Sequence, residues 1–176
     1  MNNKQLLTYN QKREIQQIAV VTPDIEKTMK AWVDNLGIGP WIVVTVNGKS
    51  LNYMHYQGAL AEVPFEFIIA MANVSNNQFE LIQPVSGPTI YEEFLRDTGE
   101  GLHHIKEKIA DKTVLLSTLE KYKTKSLKIT QDGSFGEDVH YYLNTEDKLG
   151  FSYELGNSPD MELPPDMYTI YPSEKE

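Results

Sequence analysis

The stretch GEGLHHIKE, Gly99 to Glu107, sets two of the chain's four histidines side by side after a pair of glycines. On a strand, neighbouring side chains point to opposite faces, so one pocket receives one of these imidazoles and not both. The stretch also marks where a pattern starts again. Upstream of it, IQQIAVVT, Ile15 to Thr22, is β-branched and apolar and reads as a buried strand. Thr22-Pro23-Asp24 opens a helix, with Thr22 as N-cap and Pro23 in the first turn. Ile25, Met29, Trp32 and Leu36 share one face of that helix, and Gly37 stops it. Three strand-like runs follow. WIVVTVNG continues through Leu51–Gln57 as a long hairpin around Asn47-Gly48. PFEFIIAMA and QFELIQPV come next, separated by the polar turn Ser75-Asn76-Asn77.

The order β-α-β-β-β then recurs. Pro88 to Asp97 reads as a short amphipathic helix that Gly99 and Gly101 break. HHIKEKIA is the next strand. Asp111 caps a helix carrying Val114, Leu115, Leu119 and Tyr122, and SLKITQDG, DVHYYLNT and GFSYELG are three more strands. An offset of 87 takes Ile18 to Ile105, Asp24 to Asp111, Trp32 to Leu119 and Gln17 to His104. At the far end of each half, Phe79-Glu80-Leu81 matches Tyr153-Glu154-Leu155 at an offset of 74, which fits shorter loops in the second half. The chain is therefore expected to be an α+β protein made of two βαβββ modules. Residues 15–86 form the first and 103–156 the second. A tail, 1–14, precedes them, a helical linker, 87–102, joins them, and a proline-rich arm, 157–176, follows.

Composition narrows the function. The chain has 176 residues and 40% of them are apolar, enough for a real core. The absence of cysteine excludes disulfides, thiolate metal sites and cysteine nucleophiles. A net charge of −9 opposes nucleic acid and anionic membranes. No apolar run approaches membrane-spanning length, and MNNKQLLTYNQKR lacks the apolar stretch of a secretory signal, so a cytoplasmic protein is expected.

Three glutamates sit between large apolar neighbours: Glu66, Glu80 and Glu154. In a strand covered by a helix, the apolar neighbours face the core and the glutamate faces the other side. Ordinary alternation against water explains any one of them, but three in matched positions of a repeat are harder to dismiss. By the same parity Gln17 and, through the offset, His104 face the concave side, and His103 faces away. Pairing the two halves gathers Gln17, Glu80, His104 and Glu154 in one cleft. Two carboxylates, an imidazole and an amide oxygen suit a divalent ion such as zinc, nickel, cobalt or manganese. Lys106 and Lys108 share the strand parity of His104 and are candidates for meeting an anionic group, although solvated lysines near a strand end are the plainer explanation. His55 and His140 read as surface or packing residues.

The repeat resembles the vicinal oxygen chelate superfamily, which includes glyoxalase I, methylmalonyl-CoA epimerase, extradiol dioxygenases and bleomycin-resistance proteins. The resemblance runs from Ile15 to Gly156. IQQIAVVTPDIEKTMKAWVDNLGI and FELIQPVSGPTIYEEFLRDTGEGLHHI look like methylmalonyl-CoA epimerases and related glyoxalase-like proteins, and FSYELGN looks like the last ligand strand. The resemblance implies a curved mixed sheet around a central cleft, with metal ligands at Gln17, Glu80, His104 and Glu154. Epimerases usually have histidine where this chain has Gln17, whereas some glyoxalase I enzymes use glutamine, glutamate, histidine and glutamate in this order.

What the resemblance implies for chemistry is removal of a proton next to a carbonyl. Glu66 resembles the epimerases' catalytic glutamate, and Glu154 takes the base role on the glyoxalase I pattern. The implied substrate is a small molecule, an acyl-CoA or a thiol adduct of a 2-oxoaldehyde, and the implied assembly a homodimer. A metal-free binding protein of the bleomycin-resistance type is the alternative. An extradiol dioxygenase is disfavoured because Gln17 stands at the first histidine position of its iron site.

Overall fold

The computed structural model describes residues 1–173. The last three residues of the expected arm lie outside the described residues. Helix α1 (Asn3–Asn10) occupies the expected tail, closed by an Asn2–Gln5 capping box and burying none of its side chains. The first half then runs β1 (Glu14–Val21), α2 (Ile25–Leu36), β2 (Trp41–Asn47), β3 (Tyr53–Tyr56), β4 (Ala59–Leu60), β5 (Glu66–Val74) and β6 (Asn77–Ser86). Helix α3 (Ile90–Asp97) links it to β7 (Gly101–Lys108), α4 (Lys112–Lys123), β8 (Ile129–Phe135), β9 (Asp138–Leu143), α5 (Glu146–Leu149) and β10 (Ser152–Gly156). A short strand, β11 (Thr169–Tyr171), ends the described chain. None of these helices is long and apolar enough to cross a membrane.

All strands form one sheet in the order β11-β2-β5-β6-β1-β7-β10-β9-β8-β3-β4. The repeat is visible in this order. The first half contributes β1-β6-β5-β2 and the second β7-β10-β9-β8, and in each the first strand runs parallel to the last. The halves join where β1 pairs antiparallel with β7. Ile18 lies opposite Ile105 there, so the residues related by the 87-residue offset meet at the centre of the molecule.

Each half covers one sheet face with its helix. Asp24, not Thr22, caps α2, its side chain accepting from the Lys27 amide. Thr22 is buried two residues earlier and its hydroxyl bonds that of Thr28. A capping oxygen must reach an amide three residues on, and Asp24 is at that distance from Lys27. Gly37 ends α2 in the left-handed region and Asp111 caps α4, as expected. Ile25 and Met29 of α2 pack on Ala70, Ala72 and Leu81, while Leu115 and Leu119 of α4 pack on Leu143 and Leu155. A third apolar cluster, with Val44, Val46, Phe67, Ile82 and Tyr142, lies on the opposite, concave side.

The long hairpin expected around Asn47-Gly48 does not form. β2 pairs with β5 and β11, while β3 crosses to the second half and pairs with β8. The chain does turn after Asn47, but a turn signal does not say which strand the chain meets next. The crossing brings the two outer walls of the sheet round a common cleft. The arm after Asn157 runs across that cleft, with Leu163 and Tyr168 against the concave cluster and β11 along β2.

Candidate active site

The cleft has a volume of about 700 Å³. Its floor is built where β6, β1, β7 and β10 lie side by side. Four side chains converge there from both halves of one chain. His104 Nε2 stands 2.9 Å from Glu154 Oε2, 3.4 Å from Glu80 Oε2 and 3.3 Å from Gln17 Oε1. His104 and Glu154 are fully buried, and Glu80 and Gln17 nearly so. Strand parity places them as expected. Ala19 and Ile82 belong to the concave cluster, whereas Val20, Phe79 and Leu81 pack towards α2 and Tyr153 and Leu155 towards α4.

Neighbours fix the orientation of these groups. The Gln17 amide nitrogen donates to Gln78 Oε1 at 2.7 Å, which leaves its oxygen facing His104. Gln78, not among the candidates read from the sequence, shares the parity of Glu80, and that parity is the signal that points to it. The Lys106 ammonium lies 3.0 Å from Glu154 Oε1 and 3.8 Å from Asp138, and Asp138 in turn is 3.2 Å from His140 Nδ1. Gly156 makes room for this lysine: a Cβ there would stand 2.6 Å from Lys106 Cε. His140 likewise packs over Gly133, the packing role expected of it, and also lines the cleft.

His103 departs from the expected placement. It is buried and does not face outward. On β1, Ala19 lies opposite His104 but Val20 lies opposite Leu102, so His103 is the extra residue of a β-bulge. The bulge interrupts the two-residue alternation, and both imidazoles come to the same side. Their Nδ1 atoms are 2.9 Å apart, one donating to the other, and both rings pack on Tyr142. Burial and the adjacent His104 push the His103 pKa well down and keep it neutral.

Glu66 is not brought to the site. Phe67, Ile69 and Met71 of β5 line the cleft, and Ala70 and Ala72, the set that shares the parity of Glu66, pack towards α2. Alternation separates two faces without saying which is which, and here the large apolar neighbours of Glu66 face the cleft. Lys108 makes no ion pair among the described residues, in contrast to Lys106.

Charge in this pocket is strongly coupled. Burial opposes a charged His104, but Glu154 and then Glu80 outweigh it and lift the ring's pKa to about 9. Burial also opposes a charged Glu154, yet Lys106 and His104 hold it at about 2. A raised imidazole pKa adds stability that is complete below about 6.5 and lost as the pH rises through about 9. With a chelator present, the urea stability advantage of the wild type over His104→Gln is expected to shrink from pH 7 to pH 10. An advantage that stays constant over that span contradicts the assignment.

The donor set fits a divalent cation. Two ligands held about 2.1 Å from one ion stand about 3.0–3.4 Å apart in right-angled or tetrahedral geometry, close to the spacings around His104 Nε2. Glu154 Oε2 is buried and ion-paired with His104 Nε2 at 2.9 Å but makes no well-aligned hydrogen bond, so its lone pairs are turned to the meeting point. Among the described residues no three His, Cys, Asp or Glu side chains already stand as a metal-holding group. The imidazole nitrogen itself fills the meeting point, so a cation has to take its proton's place and draw the oxygens round.

Solved structures share this architecture. A hypothetical protein of Bacillus halodurans C-125, BH1468, superposes with a TM-score of 0.61 at 15% identity, covering 87% of this chain and 99% of that one. A variant of methylmalonyl-CoA epimerase from Streptomyces coelicolor, bound to 2-nitronate-propionyl-CoA, gives 0.56 at 19% identity over 86% and 98%. The epimerase of Mycobacterium tuberculosis gives 0.52 at 14% over 81% and 85%. At these identities the likeness is one of fold. No curated protein matches the sequence. The family model described as Glyoxalase/Bleomycin resistance protein/Dioxygenase superfamily matches residues 16–140, from β1 to β9. With two βαβββ modules closing one cleft from a single chain, this protein belongs to that superfamily.

Proposed function

We propose that this chain is a divalent-metal-dependent enzyme that removes a proton next to the carbonyl group of a small molecule. The observation that supports this most is the convergence of Gln17, Glu80, His104 and Glu154 on one point inside a buried cleft floor. These four residues would hold the ion, and when bound it supplies charge stabilisation to the carbonyl oxygen as the proton leaves. Lys106 keeps Glu154, the proposed base, ionised and so unprotonated at neutral pH, while the same charge lowers its basicity. Returned to the neighbouring carbon, the proton completes an isomerisation with a single base.

One observation favours this glyoxalase-like course over an epimerase's. An epimerase needs a second group to return the proton on the opposite face. The wall formed by β2 and β5 presents Ile42, Val44, Val46, Phe67, Ile69 and Met71, and Glu66 lies on its far side. The alternative, a metal-free binding protein, also has support: imidazolium His104 and Lys106 balance Glu80 and Glu154 in charge without an ion. Elemental analysis of protein purified without added metal separates the two. About one divalent ion per chain is expected, lost in the double variant Glu80→Gln/His104→Ala. Full metal binding by the double variant sinks the enzyme reading. A companion screen with methylglyoxal plus thiols and with methylmalonyl-CoA follows proton exchange at the carbon. A homodimer is proposed as well, on the exposed apolar residues Leu6, Leu7, Val114 and Leu116 of α1 and α4. A monomer mass in sedimentation overturns that part.

A further inference from the structure

The cleft's charges select among substrates in a way the fold does not. The carboxylates lining it are Glu80, Asp138, Glu154 and Glu162. Against them stands one ammonium, Lys106, and two of those carboxylates already hold it. Lys106 and a bound divalent ion together bring three positive charges against these four carboxylates. The arm across the cleft adds the same sign: residues 157–171 carry Asp160, Glu162 and Asp166 and no lysine or arginine. The whole chain is at −9.

Beside these charges and the polar side chains Gln16, Gln17, Asn73, Gln78 and Ser158, the remaining lining is aliphatic and aromatic. The β2 and β5 wall is aliphatic and aromatic, and Met161, Leu163 and Tyr168 of the arm also line the cleft, the last two packed on the concave cluster. A volume of about 700 Å³ takes a drug-sized body. A short acyl group would leave most of these walls in contact with water, at the cost of their hydrophobic contribution. A carrier bearing several phosphates or carboxylates would meet like charge in the cleft and along the arm.

We infer that the site takes an uncharged carbonyl compound with a hydrocarbon body, and excludes acyl-CoA and glutathione thioesters. The carbonyl part rests on the proposed function; the uncharged, hydrocarbon part rests on the lining alone.

The test is calorimetric titration of the full chain at about 0.15 M salt, where screening acts over about 8 Å. The probes are 1-phenylpropane-1,2-dione, its anionic counterpart phenylglyoxylate, methylmalonyl-CoA and S-lactoylglutathione. Each is run with chelator and with manganese. The dione is expected to bind at least tenfold more tightly than phenylglyoxylate, and neither thioester to bind measurably. Glu162→Lys, on the exposed arm, is expected to narrow the dione's preference severalfold without disturbing the fold, and Met71→Lys to narrow it further. An anion or thioester that binds as well as the dione overturns the inference, as does failure of all four probes or an unchanged preference in Glu162→Lys. A dione preference that persists under chelator while the wild type holds no metal leaves this inference standing and removes only the enzyme reading.

Discussion

Replacing Lys106 by methionine is expected to lower the stability of the metal-free protein at pH 7 by about 3 kcal/mol. The ammonium is nearly buried, 3.0 Å from a carboxylate that is fully buried. Removing one partner of such a pair leaves the other charge uncompensated, and the loss exceeds what the pair contributes relative to an apolar isostere. The sign with pH follows from Glu154. Burial raises its pKa, and Lys106 and His104 together bring it down to about 2. A depressed carboxylate contributes stability above its ordinary value of 4.5, lost as the pH falls through about 2. In the variant the leading depressing charge is gone, so Glu154 can take up a proton at higher pH. The deficit is therefore expected at pH 7 and to narrow at pH 4, measured by urea denaturation at both. A divalent ion should bind the variant more tightly than the wild type, because a like charge beside Glu154 has been removed. Weaker metal binding by Lys106→Met would contradict the placement of the ion among these four residues.

The second large effect is structural. Gly87 joins β6 to α3 at a φ of 79°, and a Cβ there would stand 2.2 Å from the Pro64 carbonyl oxygen and 2.6 Å from Phe65 Cα. Both obstacles are backbone, which has no rotamer by which to move aside. Gly87→Ala is expected to cost about 4 kcal/mol or more. Gly99 is the control. Its φ is 89° but nothing lies within 4 Å of an added Cβ, so Gly99→Ala should cost about 1 kcal/mol. Equal costs at the two positions, compared as urea midpoints, would show that the Pro64–Phe65 contact is not decisive.

Much of the site was legible in the sequence because repeat and parity carry position. An offset placed His104 by reference to Gln17, and alternation turned Glu80 and Glu154 inward, without any side-chain contact being known. The same reasoning misplaced His103 and Glu66, for two different reasons. A bulge adds a residue to one strand only, and no residue type in LHHIK announces it. For Glu66 the alternation was real, but the sheet has an apolar core on each face, so flanking phenylalanines did not reveal which face is the cleft. Pairing partners were the least legible part. Tyr53 to Tyr56 reads as a strand, and nothing in those four residues says that the strand belongs to the other half.

That crossing limits how far the cleft can open. β2 ends at Asn47 and β3 begins at Tyr53, so six peptide steps connect the two outer walls. A fully extended tether of this length reaches about 20 Å. However the strands flex, covalent contour length caps the separation of the rims at that end. The bore of the cleft is thus set by chain connectivity as well as by packing, and the size of what it admits has an upper bound that no loosening of side chains can raise.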